Sequence, residues 1–82
     1  MSRIQAAVGR KGMNLPQDVL VVARLVNKNL GQLIPYRELP EVAIPLENLI
    51  SMVEEFQRRV LKMPKPDGRV EPGGKTLAKL MK

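Results

Sequence analysis

The stretch from Leu46 to Leu80 constrains the fold more than any other part of this chain. Leu46, Leu49, Ile50, Val53, Phe56 and Val60 fall at i, i+3, i+4, i+7, i+10 and i+14, with Leu61 close by, and so share one face of a helix. The pattern stops near Leu61 or Lys62, because Pro64, Pro66, Gly68, Pro72, Gly73 and Gly74 crowd the connection that follows. Proline removes a backbone donor and glycine relaxes the backbone, so this connection turns and does not continue the helix. A shorter apolar pattern (Leu77, Leu80, Met81) resumes from about Lys75, with Lys79 and Lys82 near its electronegative end. Val70 is expected to tuck inward from the turn. Phe56, the only phenylalanine, anchors the longer helix.

Upstream, Val19, Val22, Leu25, Val26 and Leu30 form a second helical stripe, widened by Leu20, Val21 and Ala23. Asn14 is placed to cap this helix, and Pro16, Gln17 and Asp18 suit its first turn. Asp18 also suits the positive end of the helix dipole. The four valines lower helix propensity, which makes a buried strand at Val19 to Val22 the competing reading. Continuation through Leu25, Val26 and Leu30 favours the helix, which is expected to end at Asn29-Leu30-Gly31 with Gly31 as a left-handed cap. Pro35, Pro40 and Pro45 make residues 32–45 a loop. Leu33, Ile34, Leu39, Val42 and Ile44 predict that this loop lies across the core. Residues 1–13, with Gly9 and Gly12 around Arg10-Lys11, lack periodicity and read as an irregular N-terminal arm before a domain at 14–82. The fold class expected is all-α, three helices with long Pro/Gly-rich loops.

The chain of 82 residues has neither cysteine nor histidine. Disulfides, thiolate metal sites, typical zinc sites and His-dependent triads are thereby excluded, and no metal or cofactor is expected. Stability has to come from packing, which 44% hydrophobic residues allow. A net charge of +6 favours polyanionic partners. The basic residues are nevertheless interleaved with acids. Glu54 to Arg58 and Glu55 to Arg59 are spaced for helical ion pairs worth about 0.2–0.5 kcal/mol each, so a structural role accounts for them. Scattered charge and only 2% aromatic residues disfavour nucleic acid. No enzyme is expected, since the hydroxyls and carboxylates have no evident partner base. No apolar run approaches a membrane span, and Ile4 to Val8 is shorter than the core of a secretory signal. The chain is therefore expected to be made in the cytoplasm without a Sec-type address.

Gly73-Gly74-Lys75-Thr76 invites a phosphate-loop reading, but the earlier glycine that motif requires is Arg69 here. A turn leading into a helix explains the same residues. Asp67 is expected to hold its turn by accepting backbone hydrogen bonds. Tyr36 beside Arg37 suits contact with sugar or peptide carboxylate, against the plainer possibility that Tyr36 covers the core. Gln57, next to Phe56, is expected to reach either a groove or a helix end.

Several of these residues together resemble the peptidoglycan-binding-like domain, a three-helix module of two pseudo-repeats. Val22-Ala23-Arg24-Leu25-Val26-Asn27 is similar to its first-helix motif, and Phe56-Gln57 to the end of its second helix. Asp67-Gly68-Arg69-Val70, Pro72-Gly73-Gly74 and Lys75-Thr76 are similar to its closing turn, while Ala7 to Val19 resembles a glycine-bearing lead-in found in a variant of the family. Ala23 stands where the family has glutamine, and Ile34 to Pro45 replaces the family's first Asp-Gly loop. The resemblance implies a non-catalytic module that binds peptidoglycan or muropeptide and localises an effector or hydrolase. It implies ligand contacts from Tyr36, Arg37, Gln57, Arg58, Asp67, Arg69, Lys75 and Thr76. Gram-negative secreted effectors carry modules of this kind, which implies action in the periplasm or target-cell envelope after non-Sec export such as type VI secretion. The alternative is a protein–protein adaptor of a secretion system, built on the same fold and docking through its Pro-rich apolar loop.

Overall fold

The computed structural model describes residues 4–82. Its elements run β1 (Val8–Gly9), α1 (Pro16–Lys28), a 3-10 turn (Leu30–Gln32), α2 (Leu46–Arg59), β2 (Arg69–Val70) and α3 (Lys75–Leu80). Three helices dominate, and two short strands pair antiparallel with Val8 opposite Val70 and Gly9 opposite Arg69. The core is continuous. Phe56, Leu49 and Val53 of α2 meet Val22 and Val26 of α1, Leu80 of α3, and Val8 and Val70 of the strands, all fully buried. No helix among the described residues is long and apolar enough to cross a membrane.

The competing strand at Val19 to Val22 does not form. These residues lie inside α1, where Val22, Ala23, Leu25 and Val26 are buried and Arg24 and Lys28 face water. Burial of the stripe outweighs the modest β-branched penalty, as tertiary packing commonly does. Start and stop differ from expectation. Leu15 occupies the cap position of α1, and Asn14 sits before it in the left-handed region at φ 54°. The Asn14 side chain instead accepts from the Gly9 N–H (2.6 Å) and donates to the Gly9 and Gly12 carbonyls (both 3.1 Å), folding the 9–12 turn around itself. At the other end α1 stops at Lys28 and the 3-10 turn follows, so Gly31 is no left-handed cap. Asn29 caps α1 instead, with an ordinary negative φ of -105°. Its side-chain N–H donates to the Leu25 carbonyl of α1 (2.7 Å) and to the Leu80 carbonyl of α3 (3.1 Å), joining two helix ends through one amide.

The structure is mostly helical, as expected, with a small two-stranded sheet added, and the expected irregular arm is corrected by what residues 4–13 do. Residues 1–3 of that arm lie outside the described residues. Ile4 and Val8 belong to the core, and Val8–Gly9 forms β1. Asp18 explains the anchorage. It is 1% exposed, and its carboxylate accepts from the Gln5 N–H (3.1 Å) and the Ala6 N–H (3.0 Å). The residue expected to complement a helix dipole therefore also holds the incoming chain.

The loop at 32–45 crosses the core only in part. Leu33 and Leu39 are buried and Ile44 half-buried, whereas Ile34 and Val42 face water, Val42 at 81% exposure. Asn27 holds Leu39 in place by a reciprocal pair: Nδ2 donates to the Leu39 carbonyl (2.9 Å) and Oδ1 accepts from the Leu39 N–H (2.8 Å). Arg24 pairs with Glu41 at 3.0 Å on the surface. That hydrogen bond, and after it the Arg24 charge, hold the Glu41 carboxyl below its ordinary range.

α2 begins after Pro45 as expected, but its buried face is wider than the apolar stripe. Met52, Glu55 and Gln57 are buried beside Leu49, Val53 and Phe56, while Leu46, Ile50 and Val60 are half-buried. The expected Glu54–Arg58 pair is absent. Glu54 binds Arg10 (2.7 Å), and Glu55 takes both Arg58 and Arg59. Val70, Leu77 and Leu80 are buried and Met81 packs against the core, as the sequence predicts.

Asp18→Ala leaves two backbone donors without an acceptor, and an unsatisfied buried donor costs about 1–3 kcal/mol. Urea unfolding is expected to show a loss of that order, with amide-exchange protection falling first at Gln5 and Ala6.

Candidate functional site

Gln57 follows Phe56 on α2 and lies one helical turn beyond Val53, so its side chain enters the protein at the edge of the apolar core. It is 1% exposed. Its Nε2 donates to Asp67 Oδ1 (2.8 Å), the Arg69 carbonyl (3.1 Å) and Thr76 Oγ1 (3.1 Å), while Oε1 accepts from the Gly68 N–H (2.9 Å). Two N–H groups serve three acceptors, so at least one is shared. The Gly68 donor fixes the amide orientation, since a flipped amide would turn NH2 against N–H. Asp67 Oδ1 also accepts from the Arg69 N–H (3.0 Å), as expected of an aspartate that holds its turn. One buried amide thus joins α2, the 67–69 turn and the first turn of α3.

Glycine is required at the centre of this turn. Gly68 has φ 67°, and a Cβ there would meet Glu54 and Ile50 side chains at 3.1 Å. The same constraint acts across the sheet. At Gly9, φ 107°, a Cβ would fall 2.1 Å from the Gly68 carbonyl oxygen, so only two bare backbones approach this closely.

The expected ligand residues separate into distinct surroundings. Asp67, Arg69, Lys75 and Thr76 line an open depression of about 220 Å³ with Met63, Glu71 and Gly74. Thr76 is itself buried, and Gln57 lies beneath as support with its polar atoms bonded inward. Tyr36 and Arg37 line another depression, of about 400 Å³, with Pro40, Asn48, Ser51 and Met52. The two depressions share no lining residue. Arg58 lines neither; its guanidinium pairs with Glu55.

Tyr36 is positioned by a relay that spacing along the sequence does not reveal. Glu55 Oε2 accepts from Arg59 Nε (2.6 Å), and Arg59 Nη1 donates to the Ile34 carbonyl (2.6 Å). Buried Glu55 therefore aims Arg59 at the backbone just before Tyr36. Periodicity predicts Glu55 to be a surface charge; the signal that could have found it inside is its spacing of three from the apolar Met52, another buried residue of α2. Arg10 and Lys11, in the expected arm, carry no periodic signal either. They line a further depression of about 270 Å³ with Pro66, Asp67 and Arg69. Arg69 is shared between this hollow and the one toward Lys75.

Comparison with known proteins finds no matching family model, no similar curated protein and no matching solved structure.

Gln57→Leu removes four hydrogen bonds at once while keeping the side chain's bulk. Stranding even one buried partner costs about 1–3 kcal/mol, so urea unfolding is expected to show at least that loss. Asp67→Ala is expected to cost less, because the Gly68 and Thr76 contacts survive. Near-equal, small losses would show that the amide is not the link between turn and helix.

Proposed function

We propose that this chain is a non-catalytic module that binds cell-wall polymer, peptidoglycan or its muropeptides, and so localises an associated effector or hydrolase. The observation that carries the reading is the built face of the 67–76 turn: Asp67, Arg69 and Lys75 beside an open hollow, held from beneath by the buried Gln57 amide. A face preorganised in this way spends little ordering entropy on binding. Its guanidinium and ammonium groups suit anionic carboxylates, and Asp67 and the exposed backbone suit hydroxyls and amides. The Tyr36–Arg37 hollow supplies an aromatic and a guanidinium as a second contact for an extended polymer. The resemblance of the Asp67 to Thr76 turn to peptidoglycan-binding-like domains points the same way. On this reading the site of action is the periplasm or a target-cell envelope, with type VI secretion as the carrier.

A second reading, an adaptor that docks another protein, is favoured by one observation. Val42 and Met13 are well exposed, and their chain neighbours Ala43 and Asn14 line an apolar hollow of about 410 Å³ with Val19, Leu20, Ile44 and Leu46.

Sedimentation with purified sacculi separates the two. The wild-type chain is expected to pellet with sacculi. The double variant Arg69→Gln, Lys75→Ala is expected to lose affinity about ten-fold or more, equivalent to about 1.4 kcal/mol. Tyr36→Ala with Arg37→Ala is expected to weaken binding too. A wild-type chain that stays in the supernatant overturns the wall-polymer reading, and full retention by both variants overturns the sites.

A further inference from the structure

Two hollows meet along Asp67 and Arg69, one reaching toward Lys75 and the other toward Arg10 and Lys11. We propose that the second is an oxyanion-binding subsite, which takes one carboxylate or phosphate-ester group between Arg10, Lys11 and Arg69. The proposal rests on the wall-polymer reading only for the source of the anion.

The subsite is built rigidly. The cations come from opposite ends of the chain, yet backbone contacts hold their loops together. The Arg10 N–H donates to the Gly68 carbonyl (3.0 Å), Val8 and Gly9 pair with Val70 and Arg69, and the Gly12 N–H donates back to the Gly9 carbonyl (3.0 Å). Asn14 closes the 9–12 turn from below. The entropy of gathering these charges is therefore met in folding, before any ligand arrives.

Like charges held together repel; Arg10 and Arg69 each have one carboxylate partner, whereas Lys11 has none among the described residues. Arg10 binds Glu54 at 2.7 Å and Arg69 binds Glu71 at 3.2 Å, all on partly exposed side chains. Lys11 is exposed, and among the described residues no carboxylate lies within ion-pair distance of it. Asp67, the acid in the wall of the hollow, has Oδ1 engaged by Gln57 and by the Arg69 N–H.

Arg69 brings an unpaired donor. Its Nε is buried without a hydrogen-bond acceptor. A buried unpaired donor is a standing cost, so this guanidinium gains more from a new acceptor than a satisfied one would. Turning from Glu71 onto an oxyanion would let Nε and Nη2 donate side by side, the two-pronged geometry that arginine offers carboxylates and phosphates. Lys11 would add a point charge from the facing turn.

Amide spectra of the full chain, titrated with inorganic phosphate and separately with acetate, test the subsite against sodium chloride at matched ionic strength. Saturable shifts at Lys11, Gly12, Gly68 and Arg69 are expected, without a counterpart in chloride. Lys11→Asn, tolerated at a left-handed position (φ 62°), is expected to weaken the apparent affinity about ten-fold, the loss of one charge-assisted hydrogen bond. Arg69→Gln should do the same, and if that variant fails to fold, Lys11→Asn still decides. Saturation by phosphate alone, or by acetate alone, supports the subsite and identifies the source of the anion. Shifts that fail to saturate, match chloride, spread evenly over remote lysines or survive Lys11→Asn overturn it. Anion saturation without sedimentation on sacculi overturns the wall-polymer reading and leaves the subsite standing; sedimentation without saturation overturns the subsite alone.

Discussion

A single buried amide, that of Gln57, connects the end of the long helix to the turn and the short helix beyond it. The connection from Met63 to Gly74 is rich in proline and glycine and has little regular hydrogen bonding of its own. Without a side chain to receive them, the Gly68 N–H and the Arg69 carbonyl would lie against the core unpaired. Gln57 accepts the first and donates to the second, and in reaching Asp67 and Thr76 it sets where α3 begins. The burial of Leu77 and Leu80 depends on that starting point.

The same solution recurs across the molecule. Asp18 receives the backbone of Gln5 and Ala6, Asn14 folds the 9–12 turn, Asn27 clamps Leu39, and Asn29 joins the ends of α1 and α3. A chain this small, without disulfides, has few apolar residues to spend on its loops. Side-chain amides and the carboxylates of Asp18 and Asp67 do that work by satisfying backbone groups that regular structure would otherwise satisfy. The loops are thereby shaped as firmly as the helices they join, and the faces they carry are set before any ligand is met.

This arrangement also governs the charge pattern of the surface. Arg10 and Glu54 lie far apart in sequence and meet because β1 pairs with β2 beside α2. Glu55, drawn inward, gathers Arg58 and Arg59 and turns Arg59 toward the Ile34 carbonyl. Some of the basic residues that look scattered along the chain thus gather in two places, Arg58 and Arg59 at Glu55, and Arg10, Lys11 and Arg69 around one hollow. The second group, beside the Asp67 turn, gives the wall-polymer proposal its electrostatic content.

By itself the sequence determined the three helices, the start of α2 after Pro45, the turn at Asp67-Gly68, and the burial of Phe56, Val70, Leu77 and Leu80. Those features are written locally, in apolar spacing and in where proline and glycine interrupt it. Of the proposed binding face, Asp67, Arg69, Lys75 and Thr76 were legible because they sit together in one stretch of sequence. Only the tertiary structure decided that residues 4–13 belong to the core, that Asp18 and Asn14 hold backbone and that Gln57 lies under the site. It also decided that Tyr36 and Arg37 open onto a different hollow and that Arg10 and Lys11 face Arg69. Each of these depends on a partner distant in sequence, such as Val8 against Val70. Periodicity reports which face of a helix is apolar, but it is silent about which polar group another loop's backbone will need.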